Sequence, residues 1–169
     1  MIMRRKLYLI ISDGGGNTPL RGVHIDKDNF LNFFKSPEGG AWKDDEILVF
    51  ENNNFDLDIL KINDLNARID KKPIDFYLIV YCGHGFTDQH NQIYFQVRPD
   101  EHLQLNDLLG VVAKSRCLVI ADSCRAKCHL REGGRIADLR MFSTSEDARN
   151  SVYADLCRKM YNDLIEATP

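Results

Sequence analysis

Apolar residues in this chain fall into short runs and helical stripes that alternate along its length. Leu7-Tyr-Leu-Ile-Ile11 is an apolar run that ends in Asp13-Gly-Gly-Gly-Asn17, the pattern of a buried strand entering a loop. Asp26 or Asp28 is placed to cap a helix carrying Phe30, Leu31 and Phe34, which Ser36-Pro37-Glu38-Gly39-Gly40 would stop. Ile47-Leu-Val-Phe50 predicts a second strand, and a helix is expected from Asp56 to Ile69, ending before Pro73. Phe76 to Cys82 is apolar on both faces, as in the middle of a parallel sheet. Gln92 to Val97 alternates and predicts a small excursion or hairpin arm. Leu105, Leu108, Leu109 and Val112 share one helix face. Cys117-Leu-Val-Ile-Ala121 predicts a fourth strand and Arg140-Met-Phe-Ser143 a fifth. Val152, Leu156, Met160 and Leu164 form the stripe of a last helix.

Strands alternating with helices predict an α/β three-layer sandwich, a mostly parallel sheet with helices on both faces. In such sheets chemistry gathers beyond the carboxyl ends of the strands. The 169 residues carry no repeat, low-complexity tract or linker, so one domain over residues 1–169 is expected. With 44% hydrophobic and 28% charged residues, disordered and fibrous classes are excluded. The net charge of −3 provides no basic footprint, so neither nucleic acid nor a membrane surface is an expected partner. The start, with its very short apolar stretch and no small-residue cleavage site, argues against a signal peptide. Together with an odd number of cysteines, this predicts a reducing, cytoplasmic setting with free thiols.

Two strand ends are chemically loaded. The third strand runs into Cys82-Gly-His-Gly85 and the fourth into Asp122-Ser-Cys-Arg125. If these strands are parallel neighbours, His84 and Cys124 emerge at one edge of the sheet. A thiol with a pKa near 8.5 is mostly protonated at neutral pH, and becomes a strong nucleophile when an imidazole or nearby N–H groups favour the thiolate. His84 can then deliver a proton to a leaving amine. Gly83 and Gly85 leave room beside the imidazole. The Gly85 and Cys124 N–H groups are candidates for a two-donor oxyanion hole.

Each residue also has a plainer reading. A lone histidine at a strand end can be a packed or capping group, and a lone free cysteine a small core residue. Cys82, Cys117 and Cys157 lie on apolar strands or a helix stripe and read as core. Cys82, His84, Cys124, Cys128 and His129 could be drawn as a zinc site, but there is no C-x-x-C pair. The Gly14-Gly-Gly16 run lacks the spacing of a phosphate cradle, leaving a loop that shapes the cleft as the favoured reading and a flavodoxin-like phosphate binder as an alternative. No D-x-D-x-D-G calcium loop is present, and the thiol chemistry requires no cofactor.

Tyr81-Cys-Gly-His-Gly85 resembles the "hydrophobic strand, then x-G-H-G" motif of caspases and metacaspases, and Asp122-Ser-Cys124 resembles their "D-x-C" nucleophile motif in its metacaspase form. The spacing between His84 and Cys124 fits as well. Leu20-Arg-Gly22 followed by Asp26 resembles the family's early "L-x-G…D-A" segment, so the resemblance runs from about Leu7 to about Ile165. It implies a cysteine endopeptidase with a His84/Cys124 dyad, acting on protein or peptide substrates. Asp122 would line the S1 pocket and favour Arg or Lys at P1, since a carboxylate pairs with a guanidinium or ammonium. Arg21 matches the place of a family arginine, although Asp122 would oppose it. Ser143 and Ser145 follow the fifth strand, where the family presents main-chain contacts to substrate; they are equally ordinary loop residues. Asp26, Glu146 and Asp147 have a surface or capping reading at least as strong as a site role.

The sequence departs from the family in two places. Arg125-Ala-Lys-Cys128 follows the nucleophile where metacaspases have a small turn such as H-S-G. The family domain continues past the last helix, so Pro169 suggests a minimal member, a trimmed domain or a processed subunit, and a regulatory or fused partner protein is a further expectation. The stretch Arg125 to Arg140, read as a glycine-containing loop with five basic residues, is a candidate for self-cleavage. The alternative from another class is a catalytically silent caspase-like interaction module.

Overall fold

The runs Leu7–Ile11 and Phe76–Cys82 have no polar face, so each needs cover on both sides and strand partners along both edges. The computed structural model describes residues 3–14, 19–51, 54–99, 101–112, 116–123, 126–130 and 136–140, the last two segments as backbone. In chain order the elements are β1 (Arg5–Ile11), α1 (Val23–Lys35), a short 3-10 turn (Asp44–Glu46), β2 (Ile47–Phe50), α2 (Leu57–Ile69), β3 (Phe76–Gly83), β4 (Gly85–Thr87), β5 (Ile93–Arg98), β6 (Glu101–Gln104), α3 (Leu105–Val112), β7 (Arg116–Ser123), β8 (Ala126–Leu130) and β9 (Ile136–Arg140).

β2, β1, β3 and β7 form a four-stranded sheet in that order, with every pairing parallel. All of β3 is buried, as befits a strand with neighbours on both edges and helices on both faces. Alternate residues feed two cores. Tyr8, Ile10, Tyr77, Ile79 and Tyr81 meet Leu60 of α2, Leu108 and Val112 of α3, and Phe95 and Val97 of β5. Leu7, Leu9, Ile11, Leu78, Val80 and Cys82 meet Val23 and Phe34 of α1, with Trp42. The molecule is thus an α/β sandwich with a parallel sheet between helical layers, as the strand–helix alternation predicts. No described helix is long and apolar enough to cross a membrane.

Several details differ from the pattern-based expectation. Neither Asp26 nor Asp28 caps α1: the helix starts earlier, with Gly22 at its N-cap position, and Asp26 lies within the first turn. Asp56 does cap α2, its side chain accepting from the Asp58 N–H at 2.8 Å. The expected hairpin arm is present as β5, and belongs to a second, five-stranded sheet in the order β6-β5-β4-β8-β9. Residues 126–130 and 136–140, read from sequence as loop, are the antiparallel pair β8 and β9. The expected strand Arg140–Ser143 lies outside the described residues except for Arg140, which closes β9; the helix expected from Val152 lies outside them too.

One buried polar group ties α2 to the sheet. Asp64 accepts a hydrogen bond from the Tyr77 hydroxyl at 2.7 Å and pairs with Arg68 at 2.6 Å. Burial, with Asp64 alongside, raises the pKa of the Tyr8 phenol to about 12, and Tyr77 is pushed higher still, so both stay protonated. Tyr77→Phe is expected to lower stability by about 1–2 kcal/mol, because it leaves a buried carboxylate oxygen short of a partner. Urea unfolding reads this directly, and an unchanged midpoint would contradict it.

Candidate active site

Because the sheet is parallel, β1, β3 and β7 end along one edge. The register there reads Ile11 opposite Cys82, Cys82 opposite Asp122, and Gly83 opposite Ser123. Residues paired across a sheet share a face. Asp122 therefore points to the same side as Cys82, the side that α1 covers, and Asp26 stands in the first turn of that helix.

Electrostatics records the same arrangement. Burial raises the Asp122 carboxyl above its ordinary pKa, and the Asp26 carboxylate adds to the rise. Asp26 is itself raised by burial. Cys82 is pushed far up by burial and by both carboxylates, and burial takes Cys117 to about 11. Neither thiol is a thiolate at neutral pH, in agreement with the core role the sequence predicts for both. The sequence gives Asp26 a surface or capping reading at least as strong as a site role, and only the fold brings its charge to Asp122.

His84 follows the last residue of β3 and is partly exposed. Its carbonyl accepts from the Gln96 N–H at 2.9 Å and from the Tyr81 hydroxyl at 2.6 Å. Its imidazole lies against the loop after β1. A Cβ on Gly14 would come within 2.4 Å of His84 Cδ2, and Gly14 adopts φ +78°, where side chains are strained. Gly14, the described member of the glycine run, therefore lets the ring approach. Gly83 is needed for a similar reason, since a Cβ there would lie 2.6 Å from the Ser12 carbonyl oxygen. Gly85 opens β4 beside the end of β7: a Cβ on it would sit 2.8 Å from Ser123 Oγ.

β3 and β7 pair up to Gly83 and Ser123, forty positions apart in the sequence. Beyond a short gap, β4 and β8 pair in parallel with Phe86 opposite Ala126 and Thr87 opposite Lys127, again forty apart. The ladder thus stops and resumes in one register. Between the paired segments the chain has His84-Gly85 on one side and Cys124-Arg125 on the other.

Cys124 itself lies outside the described residues, as do Ser143 and Ser145. Arg21 is exposed in the turn before α1. Among the described residues no three His, Cys, Asp or Glu side chains are grouped to hold a metal ion. A groove between α2 and α3, lined by Leu57, Lys61, Leu65, Asp107 and Val111 among others, includes neither His84 nor Asp122.

No protein-family model matches the chain. No curated protein matches it. Among solved structures it is similar to caspase-1 from Spodoptera frugiperda, with a TM-score of 0.45 and 18% identity, over 71% of this chain and 47% of that one.

Proposed function

We propose that this chain is a caspase-like cysteine endopeptidase that cleaves after arginine or lysine. The observation that carries this reading is the interrupted ladder: in-register pairs on both sides flank the two short segments that contain His84 and Cys124. In this reading Cys124 Sγ attacks the scissile carbonyl carbon and its proton passes to His84. The tetrahedral oxyanion is held by the Gly85 and Cys124 N–H groups. His84 then protonates the leaving amine, and water, deprotonated by the same imidazole, hydrolyses the thioester. The high thiol pKa values of Cys82 and Cys117 support the assignment, because they remove both as competing nucleophiles.

Asp122 and Asp26 together suit a cationic P1 side chain. Both carboxyls are costlier to ionise than usual, Asp122 through burial and the Asp26 charge and Asp26 through burial, and a guanidinium placed between them relieves that cost. Arg21 is exposed in the turn before α1. Ser143 and Ser145 remain candidate main-chain contacts. Self-cleavage, if present, falls at Arg131 or Arg135 between β8 and β9 more readily than inside either strand.

Cys124→Ala is expected to lower turnover of an arginyl fluorogenic peptide by about 10⁴-fold or more, and to freeze intact mass at the full chain on incubation. Turnover that survives the substitution overturns the peptidase reading; no turnover in the unmutated chain favours the silent interaction module. Gly14→Ala is expected to displace the imidazole and cost about 100-fold in kcat, with a stability loss of about 1–2 kcal/mol from the positive φ. Wild-type kinetics would contradict the contact described above. Asp122→Asn separates binding from folding. A carboxyl whose pKa is raised in the fold opposes folding when ionised, and that penalty fades as pH falls through the raised value. The variant should therefore melt no lower than wild type at pH 7, with the difference shrinking in acid, while KM for arginyl peptides rises at least tenfold (about 1.4 kcal/mol). A lower Tm at pH 7 with unchanged KM would reject the assignment.

A further inference from the structure

Tyr81 is fully buried on β3, with its ring stacked on Phe95 of β5 at a centroid distance of 4.4 Å. Packing alone does not explain its hydroxyl. Tyr81 Oη lies 2.6 Å from the His84 carbonyl oxygen and 2.8 Å from that of Gln96. A phenol has one hydrogen, so the two carbonyls share it, the nearer one taking the larger part. The His84 carbonyl also accepts from the Gln96 N–H at 2.9 Å. This one main-chain oxygen is held from two directions by groups on β3 and β5.

The consequence lies at the other end of the same peptide unit. In a trans peptide the C=O and the following N–H point in opposite directions, and no described bond is cis. Pinning the His84 carbonyl toward β5 therefore turns the Gly85 N–H away from β5. The ladder agrees. The Gln96-to-His84 bond lies next to the pair Gly85–Phe95, which makes that pair a non-hydrogen-bonded one, with its N–H groups facing outward. Outward from β5 is the edge of β4 on which β8 pairs, the strand that follows Cys124 in the chain.

We infer that Tyr81 is a positioning residue for the oxyanion hole: its hydroxyl fixes the peptide that carries the Gly85 N–H. This rests on the peptidase reading above. Catalysis by such a donor depends on its being fixed in advance, because an N–H that must reorient in the transition state loses most of its benefit.

Tyr81→Phe removes the hydroxyl and keeps the stacked ring. Two reactions of Cys124 separate the possible effects. Peptide hydrolysis builds an oxyanion; alkylation by iodoacetamide, a displacement at saturated carbon, does not. The variant is expected to lose about 10- to 100-fold in kcat on an arginyl peptide amide, with KM and the rate and pH profile of Cys124 alkylation within twofold of wild type. Unchanged kcat overturns the inference, as does a parallel fall in kcat and alkylation, which would make Tyr81 merely structural. Absence of Cys124-dependent turnover in the wild type overturns the peptidase reading and this inference with it, so the two failures are distinguishable. If Tyr81→Phe does not fold, the unmutated chain still decides: a Tyr81 hydroxyl proton protected from exchange must be visible by NMR, and its absence rejects the proposal.

Discussion

A strand with no polar face can satisfy its backbone only between two other strands and can hide its side chains only between two layers. β3 is such a strand, and the rest of the molecule is arranged around that requirement. Parallel pairing with β1 and β7 follows, and with it the alignment of three carboxyl ends along one edge. The polar residues that interrupt the apolar runs are thereby collected in one place without any direct affinity for each other. Asp122 and Asp26 show that the collection is imposed by the sheet: their mutual effect is unfavourable, and the packing of α1 on β1 and β3 holds them there.

The main sheet was readable because its strands are apolar throughout and are separated by helical stripes with capping and breaking residues. Ile47–Phe50 and the helix ending at Ile69 are met almost to the residue. The second sheet was much less readable. Ala126–Leu130 and Ile136–Arg140 are short and lack a continuous apolar run, and their strand character comes from pairing with β4 and with each other, which no local pattern announces. The cap of α1 was misplaced for a related reason: an aspartate suited to an N-cap is equally suited to a first turn, where its charge still complements the helix dipole.

The candidate site divides in the same way. The histidine and its flanking glycines could be picked out because a strand ending in x-G-H-G has few structural uses. The partners that hold them could not. Gly14 lies seventy positions from His84, and nothing in a run of glycines says which ring will lie against it. Gln96 is an unremarked polar residue in an alternating strand, yet its main chain fixes the His84 carbonyl. Such roles are carried by backbone atoms, and any side chain compatible with the strand would serve. Sequence pattern therefore singles out candidate reacting groups more readily than it identifies what would aim them.

The buried thiol of Cys82 has a consequence for the molecule's response to oxidants. Cys82 is separated from His84 by one residue, yet burial and two carboxylates keep its sulfur in the protonated, slowly oxidised form. Sulfenic acid formation would thus be slow at Cys82. Peroxide reaching this part of the chain would meet in Cys82 a sulfur in its less reactive, protonated form.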